Sequence, residues 1–512
     1  MEKLNSIEVL RLSRFKQFLY KVLRFLIAIP MFFVTLAKKI WSGIKKLGIS
    51  IAEAFKTIGV TFVKGNWKTK VSYIILGFRN LVSGQALRGV CFILFEALFI
   101  FYMITTGAYW LGKFDNLGDA TSVEIYNPAL DAFEKVPGDD SFKILLYGLL
   151  TVVFIIAFIL TWYMNVKQCK VIEEIEATGK KVKSGKEDLH SLVDDQFHKT
   201  LLALPLLGIF LFTVMPTIFM ILVAFTNYDY FNNGSANLFT WVGLQNFNEM
   251  FFVKTGSGAA MGLAFGEILS WTLMWAFFAT FTNYFLGMLV AIMINKKGIK
   301  LKKMWRGILV LTSAVPQFIS LLYVARMFDN NGLVNGLLIN WGIIKDQADI
   351  IKFWENKDLA RVMVILINIW IGIPYLMLIS TGVLMNIPQD LYESAKIDGA
   401  NPWQQYMKIT LPYMLFVTGP YLLTSFMGNI NNFNVIYLLS GGGPTNPGLV
   451  NSSGSVGYTD LLITWLFKIT MGAEPKYNLA SVLGILIFIV MATLSVIVYN
   501  VIPSTKNEED FS

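Results

Sequence analysis

Long apolar segments alternate with short polar segments along most of the chain. Beyond residue 88, eight apolar segments are long enough for a helix to cross the roughly 30 Å hydrocarbon core of a bilayer. A spanning segment must satisfy its own backbone hydrogen bonds, which favours helices. The pattern therefore predicts an all-α, polytopic membrane protein. The predicted spans are residues 89–112, 143–165, 200–226, 267–294, 306–328, 360–386, 413–439 and 478–502.

The first 88 residues follow another pattern, in which apolar and basic residues are interleaved. The apolar run Phe25–Leu36 has only 12 residues and is followed by Lys38 and Lys39. This length suits an amphipathic helix lying in the membrane interface, and a ninth span is the alternative. Residues 1–88 are predicted to form an interfacial or cytoplasmic region, and residues 89–199 to form two spans with a cytoplasmic loop. Residues 200–502 are predicted to form the transmembrane core, and residues 503–512 a cytoplasmic tail.

Composition agrees with a membrane protein and narrows the possible chemistry. Hydrophobic residues make up 55% of the chain, charged residues 15%, and the mean hydropathy is +0.56. The net charge of +9 is better explained by membrane orientation than by nucleic acid, so no nucleic-acid partner is expected. Cys91 and Cys169 lie in different predicted environments and are not expected to pair. His190 and His198 stand in a charged loop that predicts a solvated surface, so no metal or other cofactor is expected.

The distribution of basic residues predicts the orientation. Loops on one side of the predicted spans hold 16 Lys and Arg, and loops on the other side hold 8. The densest group lies between Lys296 and Arg306. Because basic loops stay in the cytoplasm, both termini and the loop at 387–412 are predicted to be cytoplasmic, in the plasma membrane.

The polar loop at 387–412 is predicted to form two short helices joined by a tight turn. Pro388 can open the first helix, and Gly399 can end it in a left-handed conformation. Asn401 then offers an N-cap and Pro402 a first helical position. Leu411-Pro412 is expected to stop the second helix. A rigid helix–turn–helix on the cytoplasmic surface is typical of a docking element.

Polar residues inside two predicted spans indicate where a ligand could bind. Asn429 and Asn432 are three residues apart in the seventh predicted span, so they are expected to share one helical face. The same span also holds Asn431 and Asn434. The sixth carries an aromatic group that includes Tyr375. Amides beside aromatic rings suit a neutral sugar, and the alternative is that the amides join neighbouring helices.

The source of energy is not predicted to lie in this chain. The segment Gly179–Lys186 has one residue too many for a Walker A motif, and Glu187 follows it where Ser or Thr should stand. Two other classes of protein fit the sequence less well. An ion-coupled secondary transporter is disfavoured because Arg326 and Arg361 lie near span ends rather than at a buried ion site. A membrane enzyme is disfavoured because no carboxylate pair, nucleophile motif or metal cluster stands in a plausible place.

The loop at 387–412 resembles the cytoplasmic "EAA" loop of importer-type ABC permeases. The residues at matching spacing are Glu393, Ala395, Gly399, Ile409, Leu411 and Pro412. Ser394 departs from the pattern. The resemblance implies a type I ABC importer permease fold and a loop that couples to a separate ATPase subunit. The chain would then be a transport permease and not itself an enzyme.

Residues 200–502 also resemble the MalF-type permeases of maltose and maltodextrin importers. The matching stretches are Val315–Ser320, Trp370–Tyr375, Asn431–Phe433, Gly441–Pro444 and Gly457–Leu462. The resemblance implies a sugar pocket halfway across the membrane. Its positions here are Ser313, Gln317, Gly372, Tyr375, Asn429 and Asn432. Ser313 and Gly428 stand where the family has aromatic residues, and Gln317 where it has a hydroxyl. Maltodextrin is the first expected substrate, with a galacto-oligosaccharide or another plant-derived oligosaccharide as the alternative.

The resemblance also implies partners. These are a second homologous permease of the MalG type, two copies of a cytoplasmic ATPase and an extracellular substrate-binding protein. The loop at 227–266 has about 40 residues, too few for the large folded domain of the enterobacterial type. This difference favours a binding lipoprotein tethered to the membrane, as in Gram-positive bacteria.

Overall fold

The computed structural model describes residues 14–501 apart from 128–130, 137, 183, 235–236, 252–256, 297, 346 and 452–453. The predicted tail at 503–512 therefore lies outside the described residues. The described chain forms two compact units. One comprises residues up to Met220 together with Asn233–Thr240, and the other comprises Ile221–Asn232 and the chain from Trp241 onward.

The first unit contains a long N-terminal helix, short connecting helices and long apolar helices. The helices are α1 (Arg14–Lys64), α2 (Trp67–Val71), α3 (Phe78–Val82), α4 (Ala86–Gly112), α5 (Ser141–Ala177), α6 (Gly185–Val193) and most of α7 (Phe197–Val223). A small antiparallel hairpin of β1 (Val123–Asn127) and β2 (Ala132–Val136) joins α4 to α5. The hairpin pairs Val123 with Val136 and Asn127 with Ala132.

The second unit is also helical, with one hairpin. Its first helices are α8 (Gln245–Phe251), α9 (Ser257–Phe277, continuing through Phe278–Thr282 to Asn283–Asn295), α10 (Lys302–Ala314), α11 (Gln317–Met327) and α12 (Leu333–Asn340). The later ones are α13 (Lys357–Met385), α14 (Gln389–Ile397), α15 (Pro402–Ile430), α16 (Phe433–Ser440), α17 (Leu462–Met471) and α18 (Tyr477–Val501). The hairpin β3 (Thr445–Asn451) and β4 (Gly454–Gly457) lies between α16 and α17. Neither hairpin was predicted from the sequence.

The predicted spans are confirmed as apolar helices. Within the described residues, seven helices are long and apolar enough to cross a membrane, and α10 with α11 forms an eighth, bent span. The helix α1 is not among them, although a ninth span had been the alternative there. The fold is that of a helical, multi-pass membrane protein.

Two predicted spans are broken rather than continuous. The fifth bends by 79° between α10 and α11, where Val315 and Pro316 have extended backbones. Proline disfavours a helical conformation in the residue before it, which explains the position of the break. The seventh stops at Ile430 and restarts at Phe433, with Asn432 as the new N-cap. Both breaks interrupt the regular helical backbone within a predicted span.

The expectation that Leu411-Pro412 would stop the second short helix is wrong. Backbone helix runs without interruption from Pro402 to Ile430, so the short helix is the first part of the seventh span. A proline inside a helix removes one hydrogen bond and crowds the preceding turn. Here the residues just before it, Tyr406–Thr410, form a wider π-helical turn that accommodates the ring. A π-turn at Phe210–Val214 precedes Pro216 at the same offset in α7.

The core of the second unit includes two apolar clusters that support the broken spans. One joins α9, α11, α13 and α16 through Trp271, Leu321, Val364 and Ile436. The other joins α9, α13 and α15 through Tyr284, Leu376 and Met414. In both clusters a broken span packs against continuous helices, so packed apolar side chains support the helices on which the breaks occur.

Candidate functional site

The break in the seventh span holds a hydrogen-bonded pair of amides. The Nδ2 of Asn432 donates to Oδ1 of Asn429 over 3.2 Å, and Oδ1 of Asn432 caps α16 by accepting from the Val435 amide. The Nδ2 of Asn429 donates to Oγ1 of Thr280 in α9 over 3.0 Å. Both side chains are half-buried. The two amides thus sit together as predicted, but across a helix break and not along one helical face.

The break in the fifth span lies beside this feature. Gln317 is the first residue of α11, and its side chain is exposed. The helices α11 and α16 pack through Leu321, Val435 and Ile436 in one apolar cluster. Two half-helices that begin at breaks therefore pack together. Ser313 lies in the last turn of α10, and its side chain is outside the described part of the structure.

An aromatic surface stands on α13 and α15. The ring of Tyr375 is 56% exposed and lies 6.5 Å from the ring of Tyr421, centroid to centroid. Trp370 on α13 is also exposed. These rings present flat apolar faces with a phenol at hand, which suits contact with a sugar ring.

Gly372 has a different setting from the other predicted pocket residues. A Cβ added there would lie 2.4 Å from Nδ2 of Asn283, so the glycine makes room for this amide of α9. Asn283 donates to the Asn368 carbonyl over 3.4 Å, while its Oδ1 and the Nδ2 of Asn368 are buried without a partner among the described residues. Sequence reasoning missed Asn283, Asn368 and Thr280. The signal was present, because each is a polar residue in a predicted span.

The chemistry of this region is neutral. Its groups are amides, a hydroxyl, phenols and aromatic faces, which exchange hydrogen bonds with sugar hydroxyls without a charge on the ligand. Among the described residues, no group of three or more metal-binding side chains occurs. Such groups suit hydrogen bonding to a neutral polar ligand.

The 387–412 loop has the two-helix geometry that its sequence predicts. The helix α14 ends in a Schellman motif, in which the Gly399 amide bonds to the Lys396 carbonyl and the Ala400 amide to the Ala395 carbonyl. Gly399 has φ of +76°, in the left-handed region. Asn401 and Gln404 then form a reciprocal capping box at the start of α15.

The same loop presents an exposed surface of mixed character. Glu393 and Gly399 are exposed, and Ala395 and Ile409 are half-buried. Ile397 is 87% exposed and Trp403 is 65% exposed, and neither was singled out from the sequence. The Tyr392 and Thr410 hydroxyls lie 2.8 Å apart and join α14 to α15. A large exposed tryptophan and isoleucine beside a turn that is held by hydrogen bonds are typical of a protein-docking surface.

A buried ion pair organises the segment between α16 and α18. The Asp460 carboxylate is fully buried and accepts from Lys468 Nζ at 2.6 Å, the Gly457 amide at 2.7 Å and the Thr464 hydroxyl at 2.9 Å. Burial raises the pKa of Asp460, and these three donors oppose the shift. A Cβ at Gly442 would lie 1.9 Å from Oδ1 of Asp460. The segment Gly457–Leu462 therefore has a structural role that its sequence alone did not reveal.

Comparison with known proteins identifies the class to which this fold and site belong. The chain is a member of the family of binding-protein-dependent transport system inner membrane components, and residues 283–505 match the family profile. It is a transmembrane permease component of a transport system of this kind.

Individual relatives are similar over most of the chain. It is 31% identical to the maltodextrin transport system permease protein MalC of Streptococcus pneumoniae over 84% of this chain and 95% of that protein. It is 31% identical to the maltodextrin permease protein MdxF of Bacillus subtilis over 88% of this chain and 98% of that one. It is 32% identical to the galactooligosaccharides permease protein GanP of Bacillus subtilis, over 85% and 97% respectively.

Proposed function

We propose that this chain is the permease subunit of an ATP-driven importer that carries maltodextrin-type oligosaccharides. The observation that carries the proposal is the Asn429–Asn432 amide pair at a break in a span, beside exposed aromatic rings, in a member of this transport family. Relatives named as maltodextrin permeases support the choice of cargo. The similarity to GanP supports a galacto-oligosaccharide as the second candidate.

The sugar-binding residues in this proposal are those of the two broken spans and of α13. Asn429 and Asn432 exchange hydrogen bonds with sugar hydroxyls, and Tyr375 offers a ring face and a phenol. Gln317 and Ser313 contribute from the break in the fifth span. Gly372 acts indirectly, because it lets Asn283 approach α13. Broken spans leave polar backbone free to face a ligand in the middle of a membrane.

Coupling to ATP is assigned to the loop at 387–412. Glu393 makes a charge-assisted contact with a separate ATPase, and Gly399 sets the angle of the turn. The segment Ile409–Pro412 continues directly into the seventh span, so a force on the docked loop reaches Asn429 along one helix. Two ATPase copies, a MalG-type permease and an extracellular binding lipoprotein complete the proposed importer. Both termini of this chain are cytoplasmic in this arrangement, and the source is a Gram-positive bacterium.

The proposed cycle is alternating access. The binding protein delivers an oligosaccharide, and ATP binding closes the ATPase pair and moves α14 and the start of α15. The spans then open outward, sugar enters near Tyr375 and Asn432, and hydrolysis returns the pathway to face inward. Hydrogen bonds to the half-buried amides hold the sugar during this exchange.

The test is uptake of labelled maltotetraose by proteoliposomes that contain this chain, the partner permease, the ATPase and the binding protein. We expect Asn432→Ala to lower ATP-dependent uptake at least about tenfold, because hydrogen bonds lost at a half-buried site cost about 1.4 kcal/mol or more. Asn434→Ala is the matched control, since Asn434 is exposed and only two residues away. It is expected to leave uptake within about twofold of the unsubstituted protein.

The outcomes separate the parts of the proposal. If maltotetraose is not taken up but a galacto-oligosaccharide stimulates the ATPase, the proposed substrate is wrong and the proposed ATP-driven importer stands. If Asn432→Ala and Asn434→Ala lower uptake equally, Asn432 is not a specific sugar-binding residue. Uptake that needs an ion gradient and not ATP would overturn the importer itself.

A further inference from the structure

The second half of α1 has two opposed faces. Most of its large exposed apolar side chains recur at intervals of three, four or seven residues, which places them on one side of the helix. They are Ile44, Leu47, Ile51, Phe55 and Phe62, with Trp41 at the edge, whereas Ile49, Val60 and Val63 are exposed apolar residues outside this side. The exposed lysines follow the same period on the other side. They are Lys38, Lys39, Lys45, Lys46, Lys56 and Lys64. Between residues 35 and 64, Glu53 is the one acidic residue.

Packing within the first unit covers only the end of the apolar face, where the Phe62 ring meets the Tyr73 ring edge-on, and leaves Ile44, Leu47 and Phe55 uncovered. The side of α1 that contacts the rest of the unit carries Thr61, which is 4% exposed, and Ile58, whose carbonyl accepts from the Tyr73 hydroxyl over 2.7 Å. By contrast, Phe55 is 70% exposed and Leu47 is 61% exposed. The helix is thus anchored near its end and presents an apolar side to its surroundings.

The dimensions of α1 exclude a simple crossing of the membrane. The helix has 51 residues and is therefore about 75 Å long, more than twice the bilayer core. Any crossing of about 20 residues within residues 35–64 would carry Lys45 and Lys46 into the bilayer core. The helices α2 and α3 then connect it to the membrane span α4. A helix of this kind next to a span lies along the surface.

We propose that residues 35–64 of α1 lie on the cytoplasmic leaflet and bind anionic lipid headgroups. The apolar face enters the boundary between headgroups and acyl chains, and the lysines on the flank and opposite side pair with lipid phosphates. Six lysines against one glutamate make the interaction depend on negative lipid charge. Another protein would also cover an apolar face, but the dense lysine array selects a surface with many negative charges.

The test measures the depth of the helix in the membrane for the full chain. A fluorescent label on Phe55→Cys, in a Cys91→Ser background that leaves only buried Cys169, reports on the apolar face. The chain is placed in nanodiscs of phosphatidylcholine, with or without about one third phosphatidylglycerol, and with a lipid-borne quencher. We expect quenching to rise at least about twofold with the anionic lipid. The same label on Ser42→Cys, on the lysine side, is expected to stay accessible to an aqueous quencher.

Charge variants distinguish lipid binding from mere exposure. Lys45→Gln with Lys46→Gln is expected to abolish the rise, whereas the matched pair Lys180→Gln with Lys181→Gln, exposed in another loop, is expected to keep it. Equal quenching in both lipid mixtures would overturn the requirement for anionic lipid. Aqueous quenching of Phe55→Cys in both mixtures would overturn the membrane contact and leave the face to a protein partner. None of these measurements involves transport, so their result does not depend on the proposed substrate.

Discussion

Gly372 illustrates how one absent Cβ can determine helix packing. The space that its side chain would occupy is filled by the Asn283 amide. In a membrane, small residues let helices approach and let interhelical hydrogen bonds form. A sequence motif can indicate that this glycine matters, but only the neighbouring helix shows which group it accommodates.

The first prediction concerns this contact. Gly372→Ala should force Asn283 away from α13 and destabilise the protein by about 1–3 kcal/mol, as overpacking does. Gly382→Ala on the same helix is the control, because nothing lies within 4 Å of its added Cβ. It should leave stability unchanged or raise it slightly. Melting temperatures of the purified variants check this, and equal values for the two would show that the contact is not restrictive.

The second prediction concerns Asp139 in the loop between α4 and α5. Burial raises its pKa, but Lys113 and the amides of Asp119 and Ala120 outweigh burial and lower the pKa to about 2 from an ordinary 3.8. The folded state therefore binds this proton less readily than the unfolded state. The stabilisation, on the order of 2 kcal/mol, is present above pH 4 and is lost as the pH falls towards 2.

Thermal unfolding of the unsubstituted protein and of Asp139→Asn between about pH 6 and pH 3 measures this contribution. The gap in melting temperature between the two proteins should narrow as the medium becomes acidic. A gap that is constant with pH would mean that the carboxylate charge has no part in the stabilisation.

At the scale of elements, the turn between α14 and α15 has a backbone requirement. Gly399 has φ of +76° and no atom within 4 Å of an added Cβ, so a substitution there acts through the backbone alone. Gly399→Ala should strain the turn by about 1–2 kcal/mol. Asn adopts the left-handed conformation more readily than Ala, so Gly399→Asn should retain more function.

Co-purification of the ATPase and ATP-driven uptake test this third prediction. Both should fall in the order glycine, asparagine, alanine. Full activity of Gly399→Ala would show that coupling tolerates a changed turn, and an equal loss in both variants would point to the surface rather than to the backbone angle.

The fourth prediction concerns the buried Asp460–Lys468 pair. Lys468→Met leaves a buried carboxylate without its main partner, and such a loss costs about 3–5 kcal/mol. Asp460→Asn combined with Lys468→Met removes both charges and should recover part of the stability. A double-mutant cycle of melting temperatures checks this, and simple additivity of the two substitutions would contradict it.

At the scale of the whole molecule, the orientation in the membrane gives the fifth prediction. Ser394→Cys in the 387–412 loop and Asn340→Cys in the predicted outer loop are both exposed, and Cys91→Ser provides the background. A membrane-impermeant maleimide should label Asn340→Cys in intact cells. It should label Ser394→Cys only after the membrane is opened. The reverse pattern would invert the orientation and exclude cytoplasmic docking at Glu393.

Local features of this protein were determined by the sequence itself. Apolar length sets which segments can span a bilayer, and residues such as Asn401, Pro402 and Gly399 act on their immediate neighbours in the chain. For this reason the existence of the eight apolar segments and the turn of the 387–412 loop could be predicted, whereas the breaks in the fifth and seventh spans and the end of the second short helix could not.

Tertiary structure alone decided which polar groups meet and where helices continue. Pro412 ends a helix by local rules, yet the π-turn before it lets α15 continue to Asn429. The partners of Asn429, Gly372 and Asp460 are Thr280, Asn283 and Lys468. The first two of these lie on another helix, distant in the sequence, and the third lies within α17, eight residues after Asp460. The cost of burying polar groups selects such contacts, and this cost arises only after the helices have packed.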